Sequence, residues 1–195
     1  MSTCLVLDDI LASAADAIPL PIDGAHEGGW GPLAHVFTHR RPETFRDTGT
    51  QMPFPLASGS ARAIRLPPGS PFRTVFVRSI LHQPWTVATP LKTGLLREAP
   101  PEALSLAGQH GVGELVMSVL WSGSRRKAAA ALAVMFDLFH APRSEDGALT
   151  VTVYLLHRHA MKMALDVAQL RAIPIGAQAP ISDQVHRASS RRQFS

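Results

Sequence analysis

Three short clusters in this chain place chemistry-bearing side chains close together. The first is Gly123-Ser124-Arg125-Arg126-Lys127. Serine suits a helix N-cap, and the first amides of a helix have no partner within it. Three cations in that turn oppose the helix dipole at about 0.3–1 kcal/mol each. A bound phosphate or carboxylate would reverse the sign, because the free amides point at the same spot. With Ser118 upstream, Ser124, Arg125, Arg126 and Lys127 form the candidate anion- or DNA-contacting set. The alternative is a set of exposed residues tolerated on a well-buried helix. The second cluster is His157-Arg158-His159. On a strand the two imidazoles share a face and suit two metal ligands, with Asp166 or Asp137 to complete the set. On a helix they diverge by about 200°. No third ligand has diagnostic spacing, so no metal site is assigned. The third is His35 and His39, four apart and able to pair on a helix, although the Gly and Pro around them argue against one.

No catalytic nucleophile is signalled. The chain has no Gly-x-Ser-x-Gly, no Walker phosphate loop and no Gly-x-Gly-x-x-Gly following a strand. Catalytic residues are therefore unknown, and no cofactor is implied.

The elements that must carry these clusters are set by apolar spacing. Leu7, Ile10, Leu11, Ala14 and Ile18 fit one helical face, so Ser2–Ile18 reads as an amphipathic helix ended by Pro19 and Pro21. Pro and Gly dominate from Pro19 to Ser60, where only Leu33–Thr38 could form a short strand or a turn of helix. Ala61–Leu66, Phe72–Leu81 and Trp85–Thr89 read as strands of an antiparallel meander. Helices are expected at Pro101–His110, Gly113–Trp121, Ser124–Phe139 and Arg158–Ala172, with a strand over Leu149–Leu155. From Ile175 onward the composition is that of a flexible basic tail.

One segment has a further pattern. Ala107, Gly111, Val112, Met117 and Leu120 have a spacing that resembles the helix-turn-helix of bacterial repressors. Ala107 would let two helices approach, Gly111 would supply a left-handed turn, and Met117 and Leu120 would pin the second helix. The resemblance implies that Glu114 and Ser118 face the major groove. It departs from the pattern at Leu115, Val116 and Val119, which are apolar where DNA-facing residues are wanted. A buried helical hairpin is the other reading.

Composition sets the outer limits. With 46% apolar and 17% charged residues among 195, the chain can bury a core and is not a disordered one. Its single cysteine, Cys4, excludes an internal disulfide and any zinc site with two thiolates. The net charge of +4 rests mainly on arginine, which makes bidentate contacts to phosphate and carboxylate. Met1–Ile18 carries Asp8, Asp9 and Asp16 where an export signal carries cations, and Ser122–Lys127 interrupts the only long apolar run. The expectation is a cytoplasmic protein that does not enter a membrane.

These readings combine into an α+β fold. A small antiparallel sheet would pack with three to four helices over residues 61–173. An irregular arm of residues 1–60, holding the short helix, would precede it, and a disordered tail of residues 174–195 would come after it. The function expected is that of a DNA-associated or regulatory protein contacting phosphates through the basic helix start. Two alternatives stand beside it. One is an enzyme for a small anionic substrate with His157 or His159 as acid–base. The other is an interaction module that pairs into a homodimer through the apolar helix Ala128–Phe139.

Overall fold

A strand covered on both faces needs apolar residues at successive positions, not alternate ones. Leu5-Val6-Leu7 and Leu115-Val116-Met117 are runs of that kind, and each lies in an interior strand. The computed structural model describes residues 1–23, 32–52, 56–57, 60–81, 93–119, 125–140 and 148–177. Its strands are β1 (Ser2–Leu7), β2 (Ala15–Asp23), β3 (Ala61–Arg65), β4 (Phe72–Leu81), β5 (Glu114–Ser118), β6 (Thr150–Leu155) and β7 (Gly176–Ala177). Its helices are α1 (Pro32–Arg40), α2 (Pro42–Thr50), α3 (Thr93–Gln109), α4 (Arg125–Phe139) and α5 (Arg158–Leu170), with a 3-10 turn at Ile10–Ala12.

The strands form one sheet in the order β3-β4-β2-β5-β6-β1-β7. All pairings are parallel except β3 with β4. Helices α3, α4 and α5 supply Leu104, Ala107, Leu132, Met135, Phe136, Phe139, Ala164 and Ala168 to the core on one face. The 3-10 turn and α1 cover the other face with Ile10, Leu11, Ala34 and Phe37. The result is a three-layer α/β sandwich.

This overturns the α+β expectation of a small antiparallel sheet with an irregular arm. The segment Ser2–Ile18 is not a helix: it holds β1, the 3-10 turn and the start of β2. Its apolar run satisfies a helical period and a doubly buried strand equally well, and pairing with β6 and β4 decides between them. Leu33–Thr38 lies in α1, with Pro32 at the first helical position, where its missing N–H costs nothing. The helix read over Gly113–Trp121 is instead β5 where it is described, with Leu115, Val116 and Met117 buried between the two helical layers, and Leu120 and Trp121 lie outside the described residues. Trp85–Thr89 and the tail beyond residue 177 lie outside the described residues.

The helix-turn-helix pattern dissolves for the same reason. Its Ala107…Gly111 half is a Schellman cap: Val112 N–H donates to the Ala107 carbonyl at 2.9 Å, and Gly111 N–H to that of Gly108 at 3.2 Å. Gly111 has φ +62, the left-handed conformation the spacing asks for. Beyond the cap the chain enters a strand, because a parallel interior position takes Leu-Val-Met and a groove-reading helix does not.

The homodimer read through Ala128–Phe139 finds no support in the burial of this helix. Phe136 is 0% and Phe139 2% exposed, both packed against the chain's own sheet. On the same face, Arg78 of β4 reaches Glu102 of α3 with Nη1 and Oε2 2.8 Å apart. A bidentate pair from Arg171 to Asp137, at 2.7 and 3.2 Å, joins the end of α5 to α4.

The centre of the sheet has a seam. Pro19 is paired with Phe76 although it has no N–H. The β2–β4 hydrogen bonds must therefore be made by Ile18, Leu20 and Ile22, and Ala17, Pro19 and Pro21 face β5. Among the described residues Ala17↔Leu115 is the single rung between β2 and β5. The next two positions facing β5 are prolines and offer no donor, so the ladder stops there. At the opposite end Asp16 staples the two strands: its Oδ2 accepts from Gly113 and Glu114 N–H at 2.9 and 3.0 Å.

Candidate functional site

In a parallel sheet every strand ends on the same edge, and the helices that come next begin there. Their unpaired N–H groups and positive dipole ends point across that edge. Ligands of open α/β sheets bind outside the carboxyl ends of the strands, where the strand order reverses direction. Here the reversal lies between β2 and β5. The chain leaves β2 through α1, α2 and β3 to reach β4 on one side, and leaves β5 through α4 to reach β6 on the other. The reversal therefore coincides with the proline seam.

The residues singled out by sequence fall beside it. Ser118 is the last residue of β5, half-buried, and in register with Tyr154 of β6. Arg125, Arg126 and Lys127 are the first three residues of α4, the helix that starts at this edge after β5. Ser124 lies outside the described residues. Ser118 and the three cations thus stand at the two ends of one strand-to-helix connection.

The histidines behave differently. His157 and His159 flank the start of α5 at the end of β6, with rings stacked at 5.3 Å and 14°. Near-parallel rings do not converge their lone pairs on one ion. Asp137 is held by Arg171, and the described residues contain no group of three or more His, Cys, Asp or Glu able to hold a metal.

Sequence reasoning misses the acidic end of β1. Asp9 caps the 3-10 turn, its Oδ1 accepting from Leu11 N–H at 3.0 Å, and its Oδ2 is ion-paired with Arg40 of α1. Arg41 donates from Nη2 to the Leu11 carbonyl at 3.1 Å. The turn is thereby tied to α1 and crosses the sheet above Tyr154. The only signal in the sequence is the pair Asp8-Asp9 after an apolar run, and a helical reading of that run absorbs it.

Beneath this crossing, burial pushes the Tyr154 hydroxyl above its ordinary value of 10.0. A hydrogen bond with Ser13 opposes the rise, and the Glu114 and Asp8 carboxylates add to it. A raised folded-state pKa means that the folded protein holds this proton more tightly than the unfolded chain. The contribution to stability is full below the unfolded value and lost as pH rises through the folded one. Thermal melts between about pH 8 and 11 should show a fall in midpoint above pH 10 that Tyr154→Phe reduces. An identical fall in the variant would exclude Tyr154 as its source.

No protein-family model matches the chain, and no curated protein matches it in sequence. Solved structures do. The Oceanobacillus iheyensis macrodomain with ADP superposes with a TM-score of 0.66, covering 86% of this chain and 90% of that one at 15% identity. The chain has the macrodomain fold. A Trypanosoma brucei macrodomain in complex with ADP gives a TM-score of 0.63 at 18% identity, over 86% of this chain and 69% of the other. The macrodomain of Mycobacterium tuberculosis DarG gives 0.55 at 11% identity, over 78% and 96%.

The macrodomain fold corrects the functional expectation as well. A DNA-associated regulator built on a helix-turn-helix has no counterpart here: the segment concerned is the end of α3 and the interior strand β5. Two of the neighbours are in complex with ADP, an anion. No helix among the described residues is long and apolar enough to cross a membrane.

Proposed function

We propose that this chain binds an adenosine diphosphate group, free or as part of ADP-ribose, across the carboxyl edge of its sheet. The diphosphate would lie at the start of α4, taking hydrogen bonds from the helix's first amides and charge from Arg125, Arg126 and Lys127. Ser118 would border it from the end of β5. The observation that carries this reading is the coincidence of the strand-order reversal with the one helix start that bears three consecutive cations. ADP in two structures of the same fold supports the ligand class. The sequence supplies the charge, and the strand order supports this location for it. Three cations that oppose a helix dipole become favourable there once a diphosphate arrives.

Calorimetric titration of the full chain with ADP, ADP-ribose and adenosine tests this. ADP and ADP-ribose should saturate one site, and adenosine should bind at least about tenfold more weakly, a difference of about 1.4 kcal/mol. Equal affinity for adenosine would remove the phosphate-binding assignment. Failure of both diphosphates to saturate at about 1 mM would remove the ligand class, since that concentration corresponds to only about 4 kcal/mol of binding.

A further inference from the structure

We propose that His35 and His39 form a two-imidazole site for a divalent transition metal of the zinc, nickel or copper class on the exposed face of α1. The sequence offers this pair only if residues 32–40 are helical, and they are. Residues four apart on a helix sit one above the other on the same face. The two rings lie with centroids 4.5 Å apart and are tilted by 50°, so they are neighbours without being stacked. Both side chains are exposed. A pair of histidines at this spacing is the helical half of a well-understood zinc-ligand geometry.

A second observation fixes the chemistry. His39 Nδ1 lies 3.1 Å from the His35 carbonyl oxygen. A carbonyl oxygen can only accept, so Nδ1 carries the hydrogen and the neutral ring keeps its lone pair on Nε2. Metal-bound histidines have this arrangement, in which the non-ligating ring nitrogen donates to a carbonyl or carboxylate and holds the ring in place. The nearest cations in the chain are already engaged, Arg40 by Asp9 and Arg41 by the Leu11 carbonyl. Two imidazoles select borderline metals over Mg2+ and Ca2+, which take oxygen ligands. Water would fill the remaining coordination positions. The stacked pair His157 and His159 provides an internal contrast, having two exposed imidazoles without converging geometry.

The test titrates Ni2+ and Zn2+ alone into the full chain, its H35Q and H39Q variants and the double variant H157Q/H159Q. Loss of either α1 histidine turns a chelate into a single ligand, so H35Q and H39Q should each weaken binding at least tenfold. H157Q/H159Q should bind as the parent does. In the parent, substoichiometric Ni2+ should broaden the imidazole resonances of His35 and His39 before those of any other histidine. Unchanged affinity in H35Q and H39Q, a loss transferred to H157Q/H159Q, or equal affinity for Mg2+ would each overturn the proposal. None of these outcomes depends on whether ADP binds.

Discussion

Replacing Arg125, Arg126 and Lys127 together by alanine will weaken ADP binding by about 100-fold and will not destabilise the protein. Hydrogen bonds to a charged partner contribute about 1.5–3 kcal/mol each. The helix amides remain in the variant, so a total loss near 3 kcal/mol, or about two powers of ten, is the reasonable scale. The effect on folding has the opposite sign. Cations in a first helical turn cost about 0.3–1 kcal/mol each against the dipole when no anion is bound. The unliganded variant should therefore unfold at the same or a slightly higher temperature. Affinity and stability moving in opposite directions separates a ligand-holding role from a structural one. If the variant binds ADP as tightly as the parent, the cations are not part of the site, whatever becomes of the ligand class. Raising salt should weaken parent binding more than variant binding, because exposed charges are screened within about 8–10 Å.

Phe136→Ala will lower the free energy of unfolding by about 3–5 kcal/mol, the range for truncating a fully buried phenylalanine. Phe136 is completely shielded and belongs to the cluster that contains Leu132, Met135, Val151 and Val153. It therefore joins α4 to the middle of the sheet. A loss of that size is comparable with much of the stability of an ordinary domain, about 5–15 kcal/mol. Leu165→Ala is the control. Leu165 lies on α5 and is 48% exposed, so its loss should stay within about 0.5 kcal/mol. Urea unfolding should show a lower midpoint for Phe136→Ala with the slope unchanged. A loss below about 1 kcal/mol would mean that α4 is not packed as described.

Local patterns in this chain are legible where a single period decides. The alternation through Phe72–Leu81 and Thr150–Leu155, the Ala-rich run of α4 and the periodic face of α5 all identify their elements. What the patterns do not supply is partnership. Leu7, Ile10, Leu11, Ala14 and Ile18 satisfy a helical face, yet the segment enters two interior strands because β6 and β4 lie ready to pair with it. Pro19 and Pro21 look like terminators. They sit inside β2 because the donors they lack would have pointed at β5, not at β4. Gly111 is the left-handed turn its spacing suggests, but the element after it depends on burial between two helical layers, which fourteen residues cannot reveal. The site shows the same division. The cations at the start of α4 are legible from residue types alone. Their position at the carboxyl edge depends on which strands neighbour one another, and Ala17 meets Leu115 only in the folded chain.

The single rung between β2 and β5 has a consequence for how the molecule comes apart. Strands β3, β4 and β2 are joined to one another by ladders of several rungs each, as are β5, β6 and β1. Beyond Ala17 the next two positions of β2 that face β5 are Pro19 and Pro21, which offer no backbone donor. Side-chain packing holds the halves together there, and the Asp16 staple does so at the opposite end. Native-state amide exchange proceeds through cooperative blocks bounded by weak connections. In this protein the boundary between blocks should fall between β2 and β5, so the two banks of the carboxyl edge would exchange as separate units. Filling that edge would then show first as a merging of the two blocks into one.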